Sequence, residues 1–517
     1  MRNSLPKSTC IYDNLTLYYR VKYTIGNTME KSVRVLFLAS EADPFIKVGG
    51  LGDVAGSLPM ALHALTTSPQ VDIRLVIPFH GAIQRETYDF RQVASFNVYH
   101  QDGYIPAQAF YTELENLPVY LIAGPPFPAD APVYSGNNRL DGYKYAFFSL
   151  AALDLPHHVD WLPDLIHAND WHTAPAIYAL KINPAVYDSL GRPVTLLGVH
   201  NLPYLGDQAG PALAGFGLYA AVNSPLPWWA QDMPLPLGLL SADHIVAVSP
   251  TYAQEILTPE FGSGLDEYLR GRADSISGIL NGIDPTRWDP ATDTHLPFTF
   301  DLDNLIPRRN NKTSLQNEFN LEQTPEVPLL VMITRLDPQK GVDLALEALR
   351  QITDLPWQLI LLGTGTQILE DSAKKLEFDF PERVRSIIRF DASLSRRMYG
   401  GGDIILIPSR YEPCGLTQMI AMRYGCVPVG RASGGLKDTI HDSGDTLNPI
   451  VPNNGFMFTN SDPNDLASVI RRALHRYSDQ SEWRKLQMNG MEQNFSWEKS
   501  AKQYYELYLH LITNREL

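Results

Sequence analysis

Residues 33–54 read VRVLFLASEADPFIKVGGLGDV. The opening VRVLFL is an almost unbroken apolar run of strand length, the mark of a strand buried on both faces of a parallel sheet. Polar residues and glycines follow at once, and an apolar helical pattern then begins. A strand running through a glycine turn into a helix is the first half of a βαβ unit.

Working outward, the same alternation recurs. DIRLVIP, VYLIAG, DLIHAND, VTLLGVH and HIVAVS are further apolar runs, several of them separated by helical segments, and GPPFPADAP reads as a loop. Residues about 284–312 are rich in Pro and Asp and read as a linker. LLVMITR, QLILLG, SIIRF, DIILIPS and VPVGR then restart the pattern. The expected organisation is α/β. Two doubly wound domains face each other, at residues 31–276 and 277–493. Residues 1–30 form an N-terminal extension, and the amphipathic helix in 494–517 crosses back. A length of 517 residues suits two large domains.

Composition bounds the function. Hydrophobic residues make up 44% and charged residues 19%, which excludes a disordered chain. With 42 Lys and Arg against 57 Asp and Glu, the formal charge is −15. That argues against nucleic acid or an anionic membrane as partner. Cys10, Cys414 and Cys426 make neither a disulfide framework nor a zinc pattern. A cytoplasmic location is expected, with a plastid as the alternative if residues 1–30 act as a transit peptide.

In doubly wound sheets, ligands bind beyond the carboxyl ends of the strands. Here those ends are polar. Lys47, Gly49, Gly50 and Asp53 lie in a loop before a helix, where glycines let backbone N–H groups approach an anion; an ordinary glycine turn is the alternative. Arg335 and Lys340 in RLDPQKG sit five apart at a strand end and suit a diphosphate leaving group, unless each is only a solvated cation. Glu412 in SRYEPCGLTQ is either a helix-capping acid or a carboxylate facing sugar hydroxyls or developing positive charge. Asp170 and His172 in HANDWH, and His200 in VHN, end buried strands, and His172 reads equally well as packing. Cys414 reads as a small buried hydrophobe. Asp301 and Asp303 are a solvated turn rather than a metal site.

Together these segments resemble the glycogen/starch synthase family. The matching stretches are SEADPFIKVGGLGDVAGSLP, HANDWHTA, VHNLPYLG, ADHIVAVSPTYAQEI, ILNGIDPTRWDPATD, RLDPQKGVDL, LLGTG and PSRYEPCGLTQMIAMRYG, in family order. The resemblance implies a GT-B fold with two Rossmann-like domains across a deep cleft. It implies a retaining transfer of glucose from ADP-glucose or UDP-glucose to the 4-hydroxyl of an α-1,4-glucan or malto-oligosaccharide. It implies no cofactor and no metal. A monomer or small homo-oligomer is expected.

Carried over by that resemblance, Lys47 stands near the donor phosphates, with Gly49 and Gly50, and Asp53 closes the motif. Asp170 supports the active site, and His200 contacts the donor glucose. Asn281 matches the asparagine of the family's NG-D motif. Arg335 and Lys340 bind phosphate. Glu412 is the motif glutamate, followed by Cys414, Gly415, Leu416 and Thr417. Phe390 replaces a tyrosine near the nucleotide base; it keeps the stacking and loses a hydroxyl. KVGG stands for the common KTGG, Pro236 stands in place of a familiar lysine region, and LDGYKYAFFSL replaces DNxxRF. The last two departures touch the acceptor side. The alternatives are a related transferase with another acceptor, or a non-catalytic glucan-binding homologue.

Overall fold

The computed structural model describes residues 32–444 and 452–515. The expected N-terminal extension, and Cys10 within it, lie outside the described residues.

Two sheets organise the chain. The first holds β1 (Val33–Leu38), β2 (Val71–Pro78), β3 (Arg91–His100), β4 (Gly103–Leu114), β5 (Leu117–Ala123), β6 (Leu165–Asn169), β7 (Val194–Val199), β8 (His244–Ala247) and β9 (Ile276–Gly278). Its order is β3-β4-β5-β2-β1-β6-β7-β8-β9. From β5 to β9 every pairing is parallel, and β1 through β8 in that stretch bury nearly every residue. Helices covering both faces of such a sheet explain why these strands read as continuous apolar runs. The β3–β4 hairpin is antiparallel and was not evident in the runs above. It carries many exposed residues, so its sequence alternates instead of running apolar.

The second sheet holds β10 (Leu329–Ile333), β11 (Gln358–Leu362), β12 (Val384–Ile387), β13 (Ile404–Ile407), β14 (Val427–Arg431) and β15 (Phe456–Phe458). It is all parallel, in the order β12-β11-β10-β13-β14-β15. That is the doubly wound 3-2-1-4-5-6 arrangement, whose ligand crevice opens where the order reverses, between β10 and β13. The corresponding reversal in the first sheet lies between β1 and β6. β12 starts two residues before SIIRF, which leaves Phe390 in the turn beyond the strand. The Pro- and Asp-rich linker ends at the helix Arg308–Glu318, whose Arg308, Asn311 and Leu315 are buried.

The chain crosses between the two sheets twice, and the crossings touch. Ile283 N–H donates to Phe495 O at 2.7 Å, and Ile283 bridges Ser496. The terminal helix Trp497–Arg515 then packs on the helix Gly50–His63 of the first domain. Its Tyr508 hydroxyl reaches His167 Nδ1 of β6 at 2.8 Å.

A second contact joins the domains through two short helices. The Thr251 N–H and hydroxyl both donate to the Asp438 carboxylate, at 2.9 and 2.7 Å. In return the Glu255 carboxylate accepts from Gly434 N–H at 2.9 Å. Each helix thus lends an acid to the amino end of the other, where negative charge is favoured. Among the described residues no helix is long and apolar enough to cross a membrane.

Candidate active site

The first domain contributes the ends of β1, β6 and β7. Beyond β1, the Glu41 carboxylate is 1% exposed and accepts hydrogen bonds from Val48 N–H and, at 3.1 Å, from Gly49 N–H. Tyr134 donates to it at 3.0 Å and also meets Ser40 Oγ at 2.8 Å. Burial raises the Glu41 carboxyl, and its two backbone bonds pull the other way. Lys47 Nζ sits 2.6 Å from Asp53, so the loop's one cation is paired with the acid closing the motif.

At the end of β6 the chain turns abruptly. Asp170 has a φ of +54°, a left-handed conformation that Asp tolerates better than most residues. The turn aims its carboxylate back at the backbone of β7's exit, where it accepts from His200 N–H at 2.8 Å. Burial raises this carboxyl to about 7, against the lowering effect of the His200 and Asn201 N–H groups.

The His200 ring is oriented by Asn169. The Asn169 amide nitrogen donates to Leu38 O at 2.9 Å, which leaves its oxygen facing His200 Nε2 at 2.8 Å. This network assigns the proton to Nε2 and leaves Nδ1 as an acceptor. Burial lowers His200 to about 4, so the ring is neutral at pH 7. His172 packs among Trp171, Tyr134 and Tyr145, with ring centroids 4.2, 4.8 and 4.6 Å away. It fills the packing reading.

The second domain contributes the ends of β10 and β13. Lys340 Nζ lies 2.7 and 2.9 Å from the two Glu412 oxygens, and Ser409 Oγ donates to Glu412 at 2.8 Å. Asp337 caps the short turn carrying Lys340 by accepting its N–H at 3.2 Å, and it also pairs with Arg335 at 3.2 Å. The Arg335 side chain stays 62% exposed. Phe390 is 89% exposed, an uncommon condition for a phenyl ring. Cys414 is buried, and burial pushes its thiol up to about 12. Gly415 and Leu416 complete the turn, and Thr417 opens the next helix. Asn281 lies in the crossing segment after β9; its backbone meets Cys414, and its buried Oδ1 has no partner among the described residues.

The two clusters approach each other through tyrosines. Burial, with Tyr204 of VHNLPY and Asp337 nearby, pushes the hydroxyl of Tyr411, next to Glu412, up to about 12, so it stays protonated, and Arg335 pulls weakly the other way. Buried Tyr252 accepts from Leu202 N–H at 2.9 Å, and burial first, with Asp170 and Tyr411 in its surroundings, raises its hydroxyl. Directly behind the cleft, Ser249 Oγ donates to Pro413 O at 2.6 Å. Arg335, Lys340 and Glu412 therefore form one group, Asp170 and His200 a second, and Lys47 and Asp53 a third near Glu41. Sequence reasoning missed Glu41, Tyr134, Asn169, Ser409 and the two cleft tyrosines. Glu41 and Ser409 lay within segments already quoted, at strand ends.

The second domain thus offers two cations at its strand ends, and the first domain a neutral histidine and a buried carboxyl group. Such a site suits departure of an anion on one side and developing positive charge on the other.

Residues 34–271 match the family model described as starch synthase catalytic domain, and residues 315–488 match glycosyl transferases group 1. The chain is 37% identical over 496 residues to a glycogen synthase of Clostridium perfringens, covering 93% of this chain and 99% of that one. It is 37% identical over 486 residues to a glycogen synthase of Thermotoga maritima, covering 92% and 98%. The solved catalytic domain of starch synthase IV from Arabidopsis thaliana, bound to ADP and acarbose, matches with a TM-score of 0.83 and 32% identity, over 93% of this chain and 100% of that one. A sucrose-phosphate synthase from Thermosynechococcus elongatus, at TM-score 0.59 and 20% identity over 93% of this chain and 100% of that one, shares the GT-B fold. Both halves match in order and the relatives align almost end to end, so the chain belongs to the glycogen/starch synthase family of glycosyltransferases.

Proposed function

We propose that the protein is a retaining glucosyltransferase that moves glucose from ADP-glucose to the 4-hydroxyl at the non-reducing end of an α-1,4-glucan. The observation that carries this reading is the Lys340–Glu412 pair beside Arg335 at the reversal point of the second sheet. A 32% identical relative solved with ADP and acarbose supports the choice of donor and acceptor.

In this scheme the bond from the anomeric carbon to the diphosphate breaks while a bond to the acceptor 4-oxygen forms on the same face of the sugar, and the proton of the acceptor hydroxyl passes to the departing diphosphate oxygen. Negative charge builds on the departing phosphate oxygens, where Arg335, Lys340 and Lys47 neutralise it. Phe390 stacks on the base. His200, with its free Nδ1, accepts a hydroxyl of the donor glucose, and Asp170 holds the turn that presents it. Closing the cleft excludes water, which would otherwise turn transfer into hydrolysis. The scheme uses no metal, so chelation leaves turnover unchanged. The protein acts in the cytoplasm.

The test is purified protein with ADP-glucose or UDP-glucose, and glycogen or maltotriose as acceptor. The expected result is preferential use of ADP-glucose, extension of maltotriose by single glucose units, and α-linkages in the product. Binding of ADP without glucosyl transfer to either acceptor identifies a non-catalytic homologue. Transfer only to a sugar phosphate identifies a different transferase.

A further inference from the structure

The loop Lys47–Asp53 reads as a cradle for an anion, and the structure already places an anion in it. Glu41 belongs to the same chain, six to eight residues upstream. It occupies the Val48 and Gly49 N–H groups. A Cβ added at Gly49 would lie 3.4 Å from Glu41 Oε1, and one at Gly52 would lie 3.2 Å from Oε2. The Gly49 distance is ordinary contact, whereas a Cβ at Gly52 would crowd Lys47 Cγ at 3.0 Å as well as Glu41, so Gly52 keeps room for both, and a Cβ at Gly50 meets nothing within 4 Å.

Glu41 is held from behind. Tyr134 reaches it from a loop whose backbone is fixed by a buried ion pair. Lys144 Nζ meets Asp141 at 2.9 Å and donates to Val133 O at 2.6 Å and Pro132 O at 3.0 Å. Asp141 accepts from Ser135 N–H at 2.9 Å, and Tyr145 donates to Val133 O at 2.6 Å. Ser40, next to Glu41, accepts from Tyr134 or donates to it, and its carbonyl meets His80 Nε2 at 2.8 Å. These groups make the carboxylate a fixed part of the loop. They also give the segment LDGYKYAFFSL a task on the donor side, through Asp141, Lys144 and Tyr145.

We infer that Glu41 is a positioning residue for the donor: its carboxylate permanently fills the loop's anion cradle and so sets where Lys47 meets the diphosphate. The Val48 and Gly49 amides are then unavailable to the donor phosphates. This replaces the expectation that the glycine-loop amides as a group stabilise the leaving diphosphate. Contact from this loop falls to Lys47 and to the helix end at Gly50. Glu41 adds a fixed negative charge beside Asp53, which discourages phosphate from settling deeper in the first domain and leaves it to Arg335 and Lys340.

The inference rests on the proposed glucosyl transfer, and the wild-type protein in the same assay tests that reading separately. Glu41→Ala and Glu41→Gln are compared for kcat, KM for ADP-glucose, ADP affinity by calorimetry, and thermal unfolding. A misplaced binding group costs roughly 10- to 100-fold in kcat/KM. The expected result is a loss in that range for Glu41→Ala, a smaller loss for Glu41→Gln, and partial recovery of Glu41→Ala by added formate, which fits the vacated cradle. Tighter ADP binding by Glu41→Ala, with turnover kept, would mean that donor phosphate competes with Glu41 for the cradle, and overturns the inference. Wild-type constants in a folded Glu41→Ala protein overturn it too. If Glu41→Ala does not fold, Glu41→Gln decides alone: unchanged kcat/KM overturns the inference, and a loss with ADP-glucose that leaves the unfolding temperature in place supports it.

Discussion

Lys340 Nζ is held by both oxygens of Glu412, at 2.7 and 2.9 Å, although the two residues are 72 apart in sequence and stand at the ends of different strands. The pair spans the reversal point between β10 and β13. Glu412 therefore aims the lysine before any donor arrives. Lys340→Ala and Arg335→Ala should lower turnover more than donor affinity, because the lost charge matters most as diphosphate departs. One charge-assisted contact in a dry site is worth about 2–4 kcal/mol, or roughly 30- to 1000-fold in rate. The Arg335 side chain is the more exposed of the two, at 62% against 20%, so Lys340→Ala should lose more. Steady-state kinetics check this. Near-wild-type turnover in both folded variants refutes the assignment.

Asp170 yields a pH signature with a definite sign. Burial raises its carboxyl from 3.8 to about 7, so between those values the folded protein keeps a proton that the unfolded chain has lost. The stability from this group is complete below the unfolded value and is lost as pH rises through about 7. His200, lowered by burial to about 4, works in the opposite direction below its ordinary 6.5. Asp170→Asn keeps a residue that tolerates the left-handed turn and removes only the first effect. Its stability relative to wild type should rise between about pH 4 and pH 8, by a few kcal/mol at most. Denaturant unfolding across that range is the measurement, and a flat difference contradicts the shift.

Cys414 should be dispensable for chemistry. Its thiol, pushed up to about 12 by burial, is protonated at neutral pH and poorly nucleophilic. Cys414→Ser should keep most turnover while losing about 1 kcal/mol of stability. The native protein should resist iodoacetamide at this position. Rapid alkylation, or complete loss of turnover in a folded variant, would show that the thiol has a chemical role.

Phe390 should matter to donor binding and little to stability, since it is 89% exposed. Ring-on-base stacking is worth about 1–3 kcal/mol. Phe390→Ala should therefore raise the ADP dissociation constant roughly 5- to 150-fold at an unchanged unfolding temperature. Calorimetric titration with ADP is the check.

The paired crossings between the domains predict a hinge. The segment through Gly282 and the chain before Trp497 run so close that a Cβ on Gly282 would lie 2.6 Å from Trp497 N. Wild-type protein should contract in small-angle scattering when ADP and a malto-oligosaccharide are added, because a donor gains contacts from both domains only on closure. Gly282→Ala forces the two crossings apart and should destabilise the protein by roughly 1–3 kcal/mol and blunt the contraction. A constant radius of gyration with ADP tightly bound would show a preformed cleft.

The fold was legible where burial on both faces writes continuous apolar runs. VRVLFL, VTLLGV and QLILL announce parallel strands without help from tertiary context. The hairpin Arg91–Leu114 was not, because its strands are partly exposed and alternate. The strand-end residues could be picked out as polar groups following apolar runs, and the resemblance gave them roles. Their partners were harder. Nothing local says that Tyr134 turns toward Glu41, 93 residues away, or that Asn169 orients His200. Glu41 was hidden for a different reason. Its glycines advertise an anion, and sequence alone does not distinguish a ligand's charge from one supplied a few residues upstream.

The helix Trp497–Arg515 also fixes the order in which a newly made chain can be finished. It leaves the ribosome after the strands of both sheets, yet Tyr504 and Tyr508 are buried, and Tyr508 bonds to His167, made hundreds of residues earlier. At roughly 5–20 residues per second, the helix Gly50–His63 waits for tens of seconds with its apolar face uncovered. The second sheet, complete by Phe458, closes during that interval. The half of the protein synthesised first is therefore sealed last, and a chain cut short after the second domain displays an open apolar groove that chaperones and proteases can read as unfinished.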